Sequence, residues 1–278
     1  MTRVPFRKMH GLGNDFVVLD QRVDPVRIDA AGARALADRR TGIGCDQLLL
    51  LEPPCDSRAQ VFMRIHNPDG SEAEACGNGT RCVATLIGAE TGRRVVVIET
   101  VAGLLPATID GAGTATVDMG DPRLDWRDIP LARETDTLHV DLRCGPLSDP
   151  VCTNMGNPHA TFFVDDAEAI DLAAVGPVLE HDRLFPERAN IGVATVRNRN
   201  TIRFRVWERG AGITRACGSG ASAAMVAAHR RGLVDDRVAV LVDGGSLDIV
   251  WPGRGSVLMS GPAALSFEGT FDAALLGS

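Results

Sequence analysis

Lysine is nearly missing from this sequence: Lys8 is the single one among 29 Lys+Arg residues in a chain of 278. A pyridoxal phosphate enzyme holds its cofactor on a Schiff-base lysine. Only Lys8 could serve, and its edge-like position ahead of a Gly-rich turn argues against that chemistry. Basic excess is also lacking. The net charge is -7, so the electrostatic footprint of a nucleic-acid binder is missing. No apolar run approaches the roughly 20 residues of a membrane span. The opening residues, MTRVPFRKMHGLGNDF, lack the apolar core of a secretory signal, and a reducing cytoplasm is the expected compartment. The seven cysteines form no C-x-x-C and no Cys/His cluster of zinc-finger spacing. Neither a disulfide framework nor a metal site is expected.

What the chain does have is a duplicated cysteine motif. Ala75-Cys76-Gly77-Asn78-Gly79 returns as Ala216-Cys217-Gly218-Ser219-Gly220. Cysteine before Gly-x-Gly is a distinctive helix opening: the glycines allow close backbone approach, and the N–H groups of the first turn face outward. The positive end of the helix dipole is expected to lower the pKa of each thiol. Other landmarks recur in the same order. Gly13-Asn14 corresponds to Gly156-Asn157, Ile43-Gly44 to Ile191-Gly192, and Arg64-x-His66 to Arg205-x-Trp207. The chain therefore reads as two copies of one half-length unit, far beyond solenoid periods. With a hydrophobic share of 45% it has ample material for two cores.

Strands are expected at 4–9, 16–19, 48–51, 61–65, 95–100, 115–119, within 151–164, and at 202–207, 237–242 and 246–250. The segment 10–15 reads as a turn and Gly111-Ala112-Gly113 as another. Helices are expected at 29–40, with Asp29 as N-cap and Gly42 as stop, and at 171–180. The two cysteine helices run to near Gly92 and Gly232. The stretch 221–228 is apolar nearly all round and should be buried on every side. Short strands around such a helix suggest a barrel-like sheet wrapped round a central helix. The polar, proline-bounded stretch 121–130 is the expected crossing between lobes.

Two such lobes with a cleft between them would bring the helix N-termini face to face. Opposed N-termini can grip one carboxylate. A thiol on each side of the adjacent carbon could then move a proton from one face to the other, with the helix-end donors stabilising the charge that builds on the carboxylate. The expected activity is cofactor-independent racemisation or epimerisation of an amino acid in a dry, closed cleft. Cys45, Cys55, Cys82, Cys144 and Cys152 are read as structural. For Cys76 and Cys217 the duplicated Gly-x-Gly context points to chemistry, because packing offers no reason for glycines beside both thiols. His159 follows Asn-Pro in a turn. With Glu208 it could set which thiol is ionised, and Arg209 could clamp a second carboxylate.

The chain resembles the diaminopimelate epimerase family over nearly its whole length. The matching segments are HGLGNDF (10–16), GIGCDQ (42–47), NPDGSEAEACGNGTRC (67–82), MGNPH (155–159), NIG (190–192) and ERGAGITRACGSGA (208–221). The resemblance implies an α+β fold of two pseudo-symmetric lobes, each a curled mixed or antiparallel sheet around a central helix. The lobes would span 1–119, with 264–278 returning to it, and 120–263. It implies a homodimer, no cofactor, and interconversion of LL- and meso-2,6-diaminopimelate in lysine and peptidoglycan precursor synthesis. By motif, Cys76 and Cys217 would be the acid/base thiols, Cys217 taking the proton in the LL-to-meso direction. Gly77, Asn78, Gly218 and Ser219 would hold the reacting carboxylate. Asn14, Gln47, Asn67, Asn157, Asn190, Glu208 and Arg209 would line the remaining pocket, with Arg209, Asn67 and Asn190 at the distal end. His159 and Glu208 would tune the thiols. Two positions depart from the family pattern: Ile213 stands where glutamate is common, in the loop before Cys217, and Phe267 where some members place a dimer-contact tyrosine.

Three other readings remain open on the residues alone. One is a racemase of another amino acid on the same scaffold, against which Arg209, Asn67 and Asn190 argue. Another is a thiol hydrolase using Cys76 with His159. The last is a redox sensor in which Cys76 and Cys217 pair as a disulfide.

Overall fold

The computed structural model describes residues 2–74, 76–110 and 113–276. The Gly111-Ala112 part of the expected turn lies outside the described residues. The chain forms two compact units: one runs to Val117 and resumes at Gly261, and the other is Asp118–Ser260. Both are α+β.

The first unit opens with β1 (Arg3–Gly11) and β2 (Asn14–Asp20), an antiparallel pair. The expected six-residue turn shrinks to Leu12-Gly13, both at positive φ (57° and 84°), the backbone that matches a two-residue hairpin to strand twist. Helix α1 (Ala30–Ala37) starts at Asp29, whose carboxylate accepts from the Ala31 and Gly32 amides. It ends sooner than expected, because the Asp38 carboxylate captures the Arg40 and Thr41 amides at 2.8 and 2.7 Å and turns the chain. Then come β3 (Gln47–Glu52), β4 (Val61–His66), β5 (Glu72–Ala73), α2 (Gly77–Thr91), β6 (Val95–Thr100), β7 (Gly103–Ile109) and β8 (Thr114–Asp118). Helix α2 packs on β1, β6 and β7 and stops at Gly92, in the left-handed conformation. Val17, Leu19, Leu36, Leu48 and Leu50 form a core between α1 and the sheet.

The second unit repeats this plan. It contains β9 (Arg143–Cys144), β10 (Leu147–Ser148), β11 (Val151–Asn154), β12 (Pro158–Phe163), α3 (Leu172–Glu180), β13 (Asn190–Asn198), β14 (Thr201–Glu208), β15 (Gly212–Ile213), α4 (Gly218–Arg230), β16 (Arg237–Val242), β17 (Gly245–Val250) and the first three residues of β18 (Leu258–Pro262). Residues 221–228 of α4 are buried throughout, as its apolar sequence requires, and the helix packs on β11 to β14, β16 and β17. Phe162, Leu172, Ile191 and Val193 anchor a second core. The chain then returns to the first unit as β19 (Ala264–Asp272), antiparallel to β1.

The duplication is visible in strand pairing. In the first unit β2 is parallel to β3, β3 antiparallel to β4, and β4 parallel to β6; β12, β13, β14 and β16 repeat that order. Register corrects one correspondence. Phe16 pairs with Gln47 and His159 with Asn190, while Leu48 faces His66 and Ile191 faces Trp207. Gln47 is thus the counterpart of Asn190, and Ile43-Gly44 lies in the loop ahead of the strand.

Several strands escaped the sequence reading: β7, β13, β18 and β19. Strand β13 is buried through its first five residues and so shows no alternation at that end. Lys8 is not at an edge, since β1 is flanked by β2 and β19. Its ammonium is 2.6 Å from Asp15 and also donates to the Gly44 carbonyl. No described helix is long and apolar enough to cross a membrane.

Candidate active site

In the first unit Cys76 is the N-cap of α2, and its Sγ accepts the Gly79 amide at 3.3 Å. Asn78 turns its side chain inward and is buried, so only its backbone remains for the carboxylate-holding role expected of it. Its Nδ2 donates to Asn14 Oδ1 at 2.9 Å, and Asn14 Nδ2 donates to Asp46 Oδ2 at 2.9 Å. Arg81 Nη2 donates to Asn78 Oδ1, also at 2.9 Å. Asp46 is held in turn by Arg39, which bridges it to Asp15. Nearby, Gln47 Nε2 donates to Asn67 Oδ1 at 3.0 Å, and Asn67 Nδ2 donates to Ser71 at 3.1 Å. The predicted Asn14, Gln47, Asn67, Gly77 and Asn78 thus stand at the start of β2, the start of β3, the loop after β4 and the first turn of α2.

In the second unit Cys217 is the N-cap of α4, with its Sγ 3.6 Å from Ser219 Oγ. The expected lowering of its pKa is not found. Burial pushes the Cys217 thiol well above its ordinary value, and the Glu208 carboxylate adds to the rise, outweighing the helix end. Glu208 accepts a hydrogen bond from the Thr214 hydroxyl. His159 is in strand β12 and not in a turn. It is 2% exposed, its Nε2 is 2.7 Å from Asn157 Oδ1, and burial, helped by the Arg209 charge, lowers its pKa to about 3. A neutral imidazole can orient a neighbour by hydrogen bonding but brings no charge to a thiol. Asn190 is buried and donates to the Pro158 carbonyl at 2.9 Å while accepting the Arg209 amide at 2.9 Å. It positions the Arg209 turn from within. Arg209 is exposed and donates to the Glu187 carbonyl.

Packing does explain part of the Gly-x-Gly signature, contrary to expectation. A Cβ on Gly220 would lie 3.1 Å from Phe204 and 3.2 Å from Cys217 Sγ, and one on Gly79 would lie 3.2 Å from Leu49. Cys45, Cys82 and Cys152 are buried, and burial raises them to about 11, 12 and 12; Cys55 is exposed and Cys144 half-buried. Ile213 belongs to the short strand β15, opposite Trp207, and is 45% exposed.

Sequence reasoning passed over three supports. Asp46 and Arg81 lie inside the quoted motifs, where the asparagines and cysteines drew attention first. Glu180 had no signal at all. It ends α3, is 3% exposed, and accepts Trp207 Nε1 at 2.7 Å and the Gly210 amide at 2.9 Å, with Arg188 at 3.5 Å.

The model of the family described as diaminopimelate epimerase matches residues 6–124 and 151–266. The chain belongs to the diaminopimelate epimerase family. The diaminopimelate epimerase of Rhodospirillum centenum is 60% identical over 271 residues, covering 98% of this chain and 93% of that one. That of Acidiphilium cryptum is 58% identical over 272 residues, covering 98% of both. Among solved structures, a probable proline racemase from Agrobacterium radiobacter K84 superposes with TM-score 0.72 at 18% identity, over 99% of this chain and 96% of that one. A hydroxyproline epimerase from Agrobacterium vitis gives 0.71 at 17%, over 99% and 95%. These two speak to the fold that the family shares, an α+β frame that carries more than one epimerase or racemase.

Proposed function

We propose that this chain is a cofactor-independent epimerase that interconverts LL- and meso-2,6-diaminopimelate, supplying lysine and peptidoglycan precursors in the cytoplasm. The observation that carries the reading is the pair of thiols, each the N-cap of a helix in equivalent strand frames, in a chain 60% identical to a diaminopimelate epimerase. One thiolate removes the α-proton, and the opposite thiol gives its own proton to the other face of the same carbon. The helix-end amides at Gly77, Asn78, Gly218 and Ser219 hold the reacting carboxylate and stabilise its developing charge. Asn14, Gln47, Asn67, Asn157, Asn190, Glu208 and Arg209 form the rest of the substrate pocket, with His159 and Glu208 tuning the thiols. The active form is a homodimer, supported by the exposed Leu265 and Phe267 of β19.

The test is α-proton exchange in heavy water with reduced enzyme and LL-diaminopimelate, without added cofactor. Deuterium is expected in the inverted product, and Cys76→Ala or Cys217→Ala should each lower turnover by about three orders of magnitude or more, as for a lost acid/base group. Exchange of another amino acid with inert diaminopimelate would move the assignment to a different racemase. A covalent acyl-enzyme on Cys76 with no need for Cys217 would favour a hydrolase.

A further inference from the structure

Glu180 is a buried carboxylate that the proposed proton transfer does not use. It ends α3, one helical turn after Gly176 and on the same face. That face lies on Trp207. A Cβ on Gly176 would come within 2.5 Å of the indole, so only glycine lets the ring rest against the helix backbone. One turn on, Glu180 Oε2 accepts the indole Nε1–H at 2.7 Å and Oε1 accepts the Gly210 amide at 2.9 Å. The two oxygens answer two segments, the end of β14 and the turn beyond it.

That turn carries Arg209. The Arg209 amide donates to buried Asn190 at 2.9 Å, the Gly210 amide to Glu180, and the Ala211 amide to the Glu208 carbonyl at 3.1 Å. Three consecutive N–H groups are engaged, which fixes the direction in which the Arg209 side chain leaves the backbone. Its guanidinium donates to the Glu187 carbonyl at 3.0 Å. The next residue, Arg188, has a φ of 59°, a conformation that a non-glycine residue keeps only where its surroundings hold it. The Arg188 side chain is 3.5 Å from Glu180, so one carboxylate anchors both the Arg209 turn and the loop on which the guanidinium rests. The first unit does without this anchor. Helix α1 ends in Ala37, and His66, the counterpart of Trp207, has no hydrogen-bond partner for either ring nitrogen among the described residues. The duplicated frame therefore forms without a carboxylate at this place. What Glu180 adds in the second unit is the hold on Arg209.

We propose that Glu180 is a positioning residue that presets the Arg209 guanidinium for the second carboxylate of the substrate, and so sets the preference for a two-ended amino acid over a one-ended one. A guanidinium binds a carboxylate by two parallel N–H···O bonds, a geometry that tolerates little rotation of the planar group. On an unanchored turn the same side chain would have to be ordered by the ligand, at a cost in affinity. Glu180 places that ordering in the fold. A ligand that lacks the far carboxylate gains nothing from it.

The inference rests on the reading of Arg209 as the group that takes the far carboxylate. The experiment is calorimetric titration of Cys76→Ala protein, where the proposed turnover is blocked, with LL-diaminopimelate and with L-lysine, the same molecule less one carboxyl group. Adding Glu180→Ala should weaken diaminopimelate binding about tenfold, as for one good hydrogen bond, and L-lysine binding by less than about twofold. Glu180→Gln keeps the volume and one acceptor oxygen and should recover part of the loss, to about threefold; it carries the test if Glu180→Ala does not fold. In Arg209→Ala protein the Glu180 substitution should change diaminopimelate affinity by less than about twofold, since the group it positions is gone. Amide hydrogen exchange over residues 208–211 reads the turn without ligand and should quicken in Glu180→Ala. Equal losses for the two ligands, an unchanged diaminopimelate affinity in the folded variants, or the full loss persisting without Arg209 overturns the inference. A parent protein that binds both ligands alike would instead fault the substrate assignment, and exchange over 208–211 would still decide whether Glu180 holds the turn.

Discussion

At the residue scale, burial decides more than dipoles. Cys217 sits where a helix end should favour thiolate, yet the loss of water around it and the nearby Glu208 carboxylate raise its pKa. His159 shows the same force on a base. Its folded value of about 3 lies below the ordinary 6.5, so the unfolded chain binds a proton that the native one refuses. The linkage sign follows: between pH 6.5 and about 3 stability falls as pH falls, by up to about 1.4 kcal/mol per pH unit, and above 6.5 the term vanishes. His159→Gln should remove that part of the acid slope. Urea unfolding of both proteins from pH 4 to 8 checks it, and parallel curves would refute it. The motif residues were legible in the sequence. The inward turn of the Asn78 side chain was not, because only the Arg81 guanidinium and the Asn14 amide beneath it explain that rotamer.

At the element scale, the sequence announced helix starts well. Asp29, Cys76, Asp171 and Cys217 are all N-caps, a local property of one residue and the next few amides. Helix and strand ends were less legible, since Asp38 stops α1 by a side-chain bond and β13 hides its period in burial. The Glu180 contacts belong to this scale too. One carboxylate at the end of α3 ties Trp207 at the end of β14 to the Gly210 amide in the turn that carries Arg209. Glu180→Ala should cost about 1–2 kcal/mol, because it removes the acceptor of two part-buried donors, and should raise KM more than it lowers kcat. Thermal unfolding with steady-state kinetics tests both parts, and an unchanged KM in the folded variant would leave Glu180 with a purely structural role.

At the scale of the whole molecule, the surface of β19 is the informative part. Leu265 and Phe267 are 53% and 51% exposed, with Phe6 edge-on to Phe267 at 5.9 Å. Without a tyrosine hydroxyl, a dimer contact here would rest on apolar area alone. Phe267→Glu is expected to convert the proposed dimer to monomer in sedimentation at micromolar concentration, with the near-ultraviolet signal of the folded units retained. A monomeric parent protein, or a variant that remains dimeric, would remove β19 from the interface.

The sequence by itself determined the chemistry on offer: two thiols in duplicated helix openings, a single lysine, and the motif order of one family. These are local or compositional properties, carried by neighbouring residues. Only the tertiary structure decided the register that pairs Gln47 with Asn190 as counterparts, the central place of β1 beneath Lys8, and the neutral state of His159. It alone set the Arg81 guanidinium on the Asn78 side chain and the Glu208 carboxylate near the Cys217 thiol. Register, burial and the sign of a neighbouring charge depend on residues far apart in the chain, and no window of sequence contains them.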